Sequence, residues 1–183
     1  MSEDRFKMRK TIKVSQYRRK REGRTDYKKR LKMLVSGIPR LVVRKTNKNI
    51  IVQLVEYSEN GDRVIVTANS SDLKKNGWKY ATANLPAAYL TGMLAAQHAK
   101  KKGVEKAIVD LGLQSPKAKS RLYAAVKGAI DNGLDVPASE DVFPDADRIS
   151  GKHIAAYSKE GKFKVAPSDI ENAFNDMKKK LSK

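Results

Sequence analysis

Three runs rich in Val and Ile, separated by turn residues, constrain most what this chain can fold into. They are Arg40–Thr46 (RLVVRKT), Ile50–Tyr57 (IIVQLVEY) and Arg63–Ala68 (RVIVTA). Asn47-Lys48 divides the first pair and Asn60-Gly61 the second. β-Branched residues suit a pleated surface, and Asn-Gly supplies the positive φ that tight hairpins need. The spacing predicts an antiparallel three-strand meander. The runs are nearly continuous in apolar residues rather than alternating, which predicts a sheet largely covered on both faces.

The next segments supply the cover. Asn84 caps a long helix with Pro86 in its first turn, and Gly103 ends it. Its many small residues allow it to lie close against a sheet. Lys106–Leu111 reads as a fourth strand. Ser115-Pro116 opens a second helix, with Leu122, Ala125, Val126, Ala129 and Ile130 on one stripe and Gly133 as its stop. Strand–helix–strand–helix order adds a parallel strand to the meander. Leu134–Pro137 is either a fifth strand or a connector, and Trp78 is expected to pack the core edge rather than stack on a base. The predicted class is α/β: a mixed sheet, antiparallel meander plus parallel strand, covered by helices in a ribonuclease-H-like three-layer arrangement.

This core occupies residues 25–137. Residues 138–183 form a helical extension packed on it: an acidic loop to Asp147, a helix over Arg148–Tyr157, and a last helix opened by a Ser168/Glu171 capping box with Ile170, Phe174, Met177 and Leu181 on one stripe. Residues 1–24 show no apolar period and read as an arm, disordered alone and ordered on a partner. Thr25-Asp26 then caps a short helix. Tyr27, Leu31, Leu34 and Val35 make its apolar stripe, and Lys28, Lys29, Arg30 and Lys32 its basic side.

Charge points to the partner. The chain carries 39 Lys+Arg against 20 Asp+Glu, a net +19. Residues 1–48 hold 18 of those basic residues and only 4 acidic ones. A polyanion fits such a segment, nucleic acid before an anionic membrane surface. Arg forks match phosphate geometry, and interleaved Tyr and Arg planes stack on bases. Cys is absent, so disulfides and thiolate metal sites are excluded. No apolar run approaches the roughly 18 residues of a membrane span, and the N-terminus lacks a signal-peptide core. A cytoplasmic protein is expected.

Catalytic signatures are missing. The sequence holds no phosphate-binding loop, dinucleotide fingerprint or nucleophile elbow. His98 and His153 stand outside any paired ligand spacing. A metal-dependent nuclease would need converging carboxylates. Asp110, Asp131 and Asp135 are the candidates, but the first strand contributes no acid. No catalytic residue, metal or cofactor is expected. A DNA-architectural protein is the other rival, separable by preference for folded RNA over duplex DNA.

Six blocks occur in order: RRKREGRTDYKKRL (18–31), SGIPRLVVRKTNKNIIVQLV (36–55), SSDLKKNGW (70–78), NLPAAYLTGMLAA (84–96), KGAIDNGLDVP (127–137) and GKHIAAY (151–157). Together they resemble the large-subunit ribosomal protein eighteen family of archaeal type, whose eukaryotic counterpart is large-subunit protein five. The resemblance spans residues 5 to 160. It implies a structural protein that binds 5S rRNA, attaches it to the large subunit in the central protuberance, contacts large-subunit rRNA, and neighbours other ribosomal proteins. It implies neither membrane association nor homo-oligomers. Mapped block by block, it nominates Arg18, Arg19, Arg21, Arg24, Tyr27, Arg30, Arg44, Asn47 and Lys48 for RNA contact. Tyr27 suits either a stacked base or its own helix stripe. Asn47 suits a base edge or 2′-hydroxyl, or merely the turn. The family usually has Gly where this chain has Lys119, which puts a glycine-dependent backbone approach to RNA there in doubt.

Overall fold

The structure, a computed structural model, describes residues 15–158 and 169–182. Its centre is a four-stranded sheet of β1 (Arg40–Lys45), β2 (Ile50–Glu56), β3 (Arg63–Asn69) and β4 (Ile108–Asp110). The order is β3-β2-β1-β4. β1 pairs antiparallel with β2 and β2 with β3, while β4 joins β1 in parallel. The meander and the added parallel strand are therefore as the sequence predicts. A single parallel bridge, Lys106 to Asp135, shows Leu134–Pro137 to be a connector touching the sheet edge.

Side chains alternate across a strand, and the two faces differ. Leu41 and Val43, Ile50, Val52 and Leu54, and Val66 and Ala68 are buried on one face. Helices α4 (Leu85–Lys101) and α5 (Arg121–Asp131) cover that face. The other face carries Arg40, Val42 and Arg44 beside Gln53, Thr67 and Asp110. There the cover is incomplete: Arg40, Val42, Val55 and Asp110 are buried, but Thr67 is exposed and Gln53 half-buried, and the Gln53 amide donates to the Thr67 hydroxyl at 3.2 Å. Gln53 and Thr67, in the middle of their runs, break the apolar continuity on this face. The second helical layer is thus partial.

Capping works as predicted for α4, where Asn84 Oδ1 accepts from the Ala87 N–H at 2.9 Å. α5 begins later than Ser115-Pro116 suggests. Lys119 takes φ +57°, which no helix accommodates, and the helix starts at Arg121. The predicted helix Arg148–Tyr157 is two helices, α6 (Ala146–Ser150) and α7 (Lys152–Ser158), broken at Gly151 with φ +90°. A Cβ there would sit 3.1 Å from Pro86 Cγ and 3.2 Å from Ile170 Cγ2. The chain turns in a space that only glycine leaves open.

The last helix, α8 (Ile170–Leu181), packs on α4 by the predicted stripe of Ile170, Phe174, Met177 and Leu181, all buried. Ser168 of the expected capping box lies outside the described residues. Tyr89 links three helices: its hydroxyl donates to Asp131 at 2.7 Å, and its ring lies 5.5 Å from that of Phe174. Burial, reinforced by that hydrogen bond, pushes the Tyr89 hydroxyl pKa well up. Trp78, 2% exposed, packs in the core and donates to the Ala81 carbonyl at 3.1 Å. Short helix α3 (Asp72–Lys75) precedes it.

Candidate nucleic-acid interface

Two short helices stand over the partly covered face. α1 (Arg18–Arg21) is one turn, and α2 (Tyr27–Leu34) follows it. Residues 15–24 are thus structured in part, although their sequence lacks apolar period; residues 1–14 of the predicted arm lie outside the described residues. Local polar contacts hold this turn. Arg18 Nε meets Glu22 at 2.8 Å, and Arg19 Nε donates to the Thr25 hydroxyl at 2.9 Å. Asp26 caps α2, its Oδ1 accepting from the N–H groups of Lys28 (3.0 Å) and Lys29 (3.1 Å). The predicted apolar stripe is not buried: Leu31 is 65% and Val35 81% exposed.

Between these helices and the sheet lies a cleft of about 590 Å³. Arg19, Arg24, Tyr27, Arg30 and Arg44 line it, which brings together five of the residues nominated from the sequence. The other four stand outside. Arg18 and Arg21 are exposed on α1, and Asn47 and Lys48 are exposed at the β1–β2 turn. Tyr27 is half-buried and meets the Tyr17 ring at 5.3 Å, tilted by 41°. It therefore belongs to an aromatic pair at the cleft rather than to a buried helix stripe.

The cationic groups differ in freedom. Arg30 places Nη1 and Nη2 on Asp62 Oδ2 and Oδ1 at 2.8 and 2.7 Å, a bidentate fork. Asp62 also accepts from Arg40 Nη2 at 2.6 Å, and Arg40 Nη1 donates to Asp110 at 2.8 Å. Asp110 accepts the Gly112 N–H at 2.8 Å. Arg44 donates to the carbonyls of Asp110 (2.8 Å) and Val43 (3.0 Å). The Arg30 hydrogen bond, aided by Arg40, holds the Asp62 carboxyl below the usual range against the opposing effect of burial. The same fork raises Arg30 further above its ordinary value. Three guanidiniums thus face two carboxylates, and the lining adds Arg19, Arg24 and Lys29 against one further carboxylate, Asp26. The cleft is cationic, and Arg24, its side chain 64% exposed, pairs with Glu22 at 3.1 Å.

Sequence reasoning missed Arg40, Asp62 and Asp110 as members of this face. The signal for Arg40 was present: Arg40-x-Val42-x-Arg44 puts both guanidiniums on one side of a strand. Asp62 had no local signal, because its partner is far away in sequence. The acids considered for a nuclease do not converge. Asp110 binds Arg40, Asp131 takes the Tyr89 hydroxyl, and Asp135 faces Lys106 at 3.8 Å. Among the described residues no group of three metal-ligating side chains gathers, and no helix is long and apolar enough to cross a membrane.

Comparison with known proteins places this architecture. Residues 10–105 match the family described as ribosomal large subunit proteins 60S L5, and 50S L18. The large ribosomal subunit protein uL18 of Methanoregula boonei is 54% identical over 142 residues, covering 78% of this chain and 82% of that protein. That of Korarchaeum cryptofilum is 56% identical over 142 residues, 78% of this chain and 73% of that protein. That of Haloarcula marismortui is 46% identical over 171 residues, 90% of each. The chain belongs to the family of ribosomal large subunit proteins 60S L5 and 50S L18, and is a structural component of the large ribosomal subunit rather than an enzyme.

Proposed function

We propose that this chain binds 5S rRNA and attaches it to the large subunit in the central protuberance, contacting large-subunit rRNA as well. One observation carries the reading: Arg19, Arg24, Tyr27, Arg30 and Arg44, dispersed over the sequence, gather on one cationic cleft. Exposed Arg18, Arg21 and Lys48 extend that surface for phosphates, and Asn47 at the β1–β2 turn suits a base edge or 2′-hydroxyl. In this reading residues 1–24 serve as a phosphate-binding arm that shares the cleft with the core of residues 25–137, and α6 and α8 of the C-terminal extension pack on the helix-covered side. That side bears Asp145 and Asp147, suited to a basic ribosomal neighbour.

Binding to 5S rRNA across a salt series tests this, with tRNA as competitor and a variant lacking residues 1–24 alongside. The full chain should prefer 5S rRNA. The variant should bind more weakly, with a log–log salt slope shallower by roughly 0.7–0.9 per lost phosphate contact. Equal competition by tRNA would reduce the protein to a polycation and refute the reading.

A further inference from the structure

The Arg30–Asp62 fork sits where RNA is expected, yet its donors are already engaged. α2 has no buried residue among its eight. Its stripe residues Leu31 and Val35 point away from the core, and Met33 and Leu34 are only half-buried. A helix this short does not hold itself in water; isolated helices need about 12–15 residues. Apolar packing therefore does little to seat it. The fork instead ties α2 to the β2–β3 turn, and Arg40 ties that turn to β4 through Asp110. Arg40 and Asp110 are firm anchors, with side chains only 5% and 6% exposed.

Resting on the functional reading above, we propose that Asp62 is a positioning residue for the RNA interface: through Arg30 it pins α2 to the sheet, and Arg30 serves the helix rather than touching RNA. The residues α2 then offers to phosphates are Lys28, Lys29 and Lys32. Their side chains are exposed, and no partner for them is seen among the described residues. Charge and position make opposite forecasts here. Asp62 is an anion beside a polyanion site, so removing it should strengthen binding if charge alone mattered. Positioning requires that its removal weaken binding.

The test uses the full chain with Asp62→Asn, Asp62→Glu, Arg30→Lys and the Arg30→Lys/Asp62→Asn double variant. RNA affinity is read across a salt series, and amide hydrogen exchange is read on α2 and α4. Asp62→Asn should weaken RNA binding about tenfold, with a salt slope shallower by roughly 1–2. Its α2 amides should lose protection while those of α4 keep it. Asp62→Glu should restore both, and the double variant should bind no worse than Asp62→Asn. Tighter binding by Asp62→Asn, or unchanged α2 protection, overturns the proposal. So does loss of protection in α4, which would make Asp62 a residue of the whole fold. A further loss in the double variant would show Arg30 on the RNA. Absence of 5S preference in the unaltered chain counts against the functional reading alone, and α2 exchange still decides the role of Asp62.

Discussion

Lys119 holds φ +57°, the one positive value at a non-glycine position among the described residues. L-residues meet their own carbonyl there, at a cost of roughly 1–2 kcal/mol. What holds it is a stretch more than twenty residues further on: its N–H donates to the Val142 carbonyl at 2.8 Å, and its ammonium reaches Asp145 at 3.1 Å. Both ionic side chains are more than half exposed, so that pair adds little. The conformation explains why glycine suits the position. Lys119→Gly should raise stability by about 0.5–1 kcal/mol, part of the relief being offset by the freer unfolded chain. Thermal unfolding should shift upward by about 1–4 °C. Lys119→Ala, which keeps the strain and loses the pair, should show no gain.

Between elements, the closest approach is that of α4 and α5. A Cβ built on Gly92 would fall inside the Ala125 carbonyl and lie 3.0 Å from the Ala129 nitrogen; one built on Gly128 would strike the Tyr89 carbonyl. The neighbours are backbone, which does not rotate away. Gly92→Ala or Gly128→Ala should therefore destabilise by at least ~2 kcal/mol, despite alanine's better helix propensity. Urea midpoints would show it. Strands, the Asn84 and Asp26 caps and the stripe of α8 were legible in the sequence because each depends on neighbours within a few residues. The break at Gly151 and the late start of α5 were not, since Pro86, Ile170 and Val142 decide them from elsewhere in the chain. In the candidate interface, Arg19, Arg24, Tyr27, Arg30 and Arg44, which line one cleft, were singled out from charge and resemblance. The fork was hidden, because Arg30 and Asp62 are joined only once the β2–β3 hairpin folds back.

At the scale of the whole molecule the sheet separates two chemistries. One face, under α4 and α5, is apolar and dry; the other carries the cationic cleft. The acidic residues of the C-terminal extension belong to the helix-covered side, where α6 packs on α4. There Asp145 meets Lys119 and Asp147 meets Lys152 at 2.7 Å. Reversing Glu140, Asp141, Asp145 and Asp147 to Lys should leave 5S rRNA affinity within about twofold, since that side faces away from the cleft and exposed charges are screened within about 8 Å at physiological salt. A large loss in a filter-binding assay would refute that placement. The sheet's order also governs how the chain leaves the ribosome that makes it. β1 ends at Lys45, and its parallel partner does not begin until Ile108. At roughly 5–20 residues per second, translation leaves β1 an open edge for about 3–13 s. Once Asn69 completes the meander, it waits for α4 and then for β4 and α5, with the basic segment before it already made. A newborn chain of this kind has reason to meet a polyanion or a chaperone before it meets its own last strand.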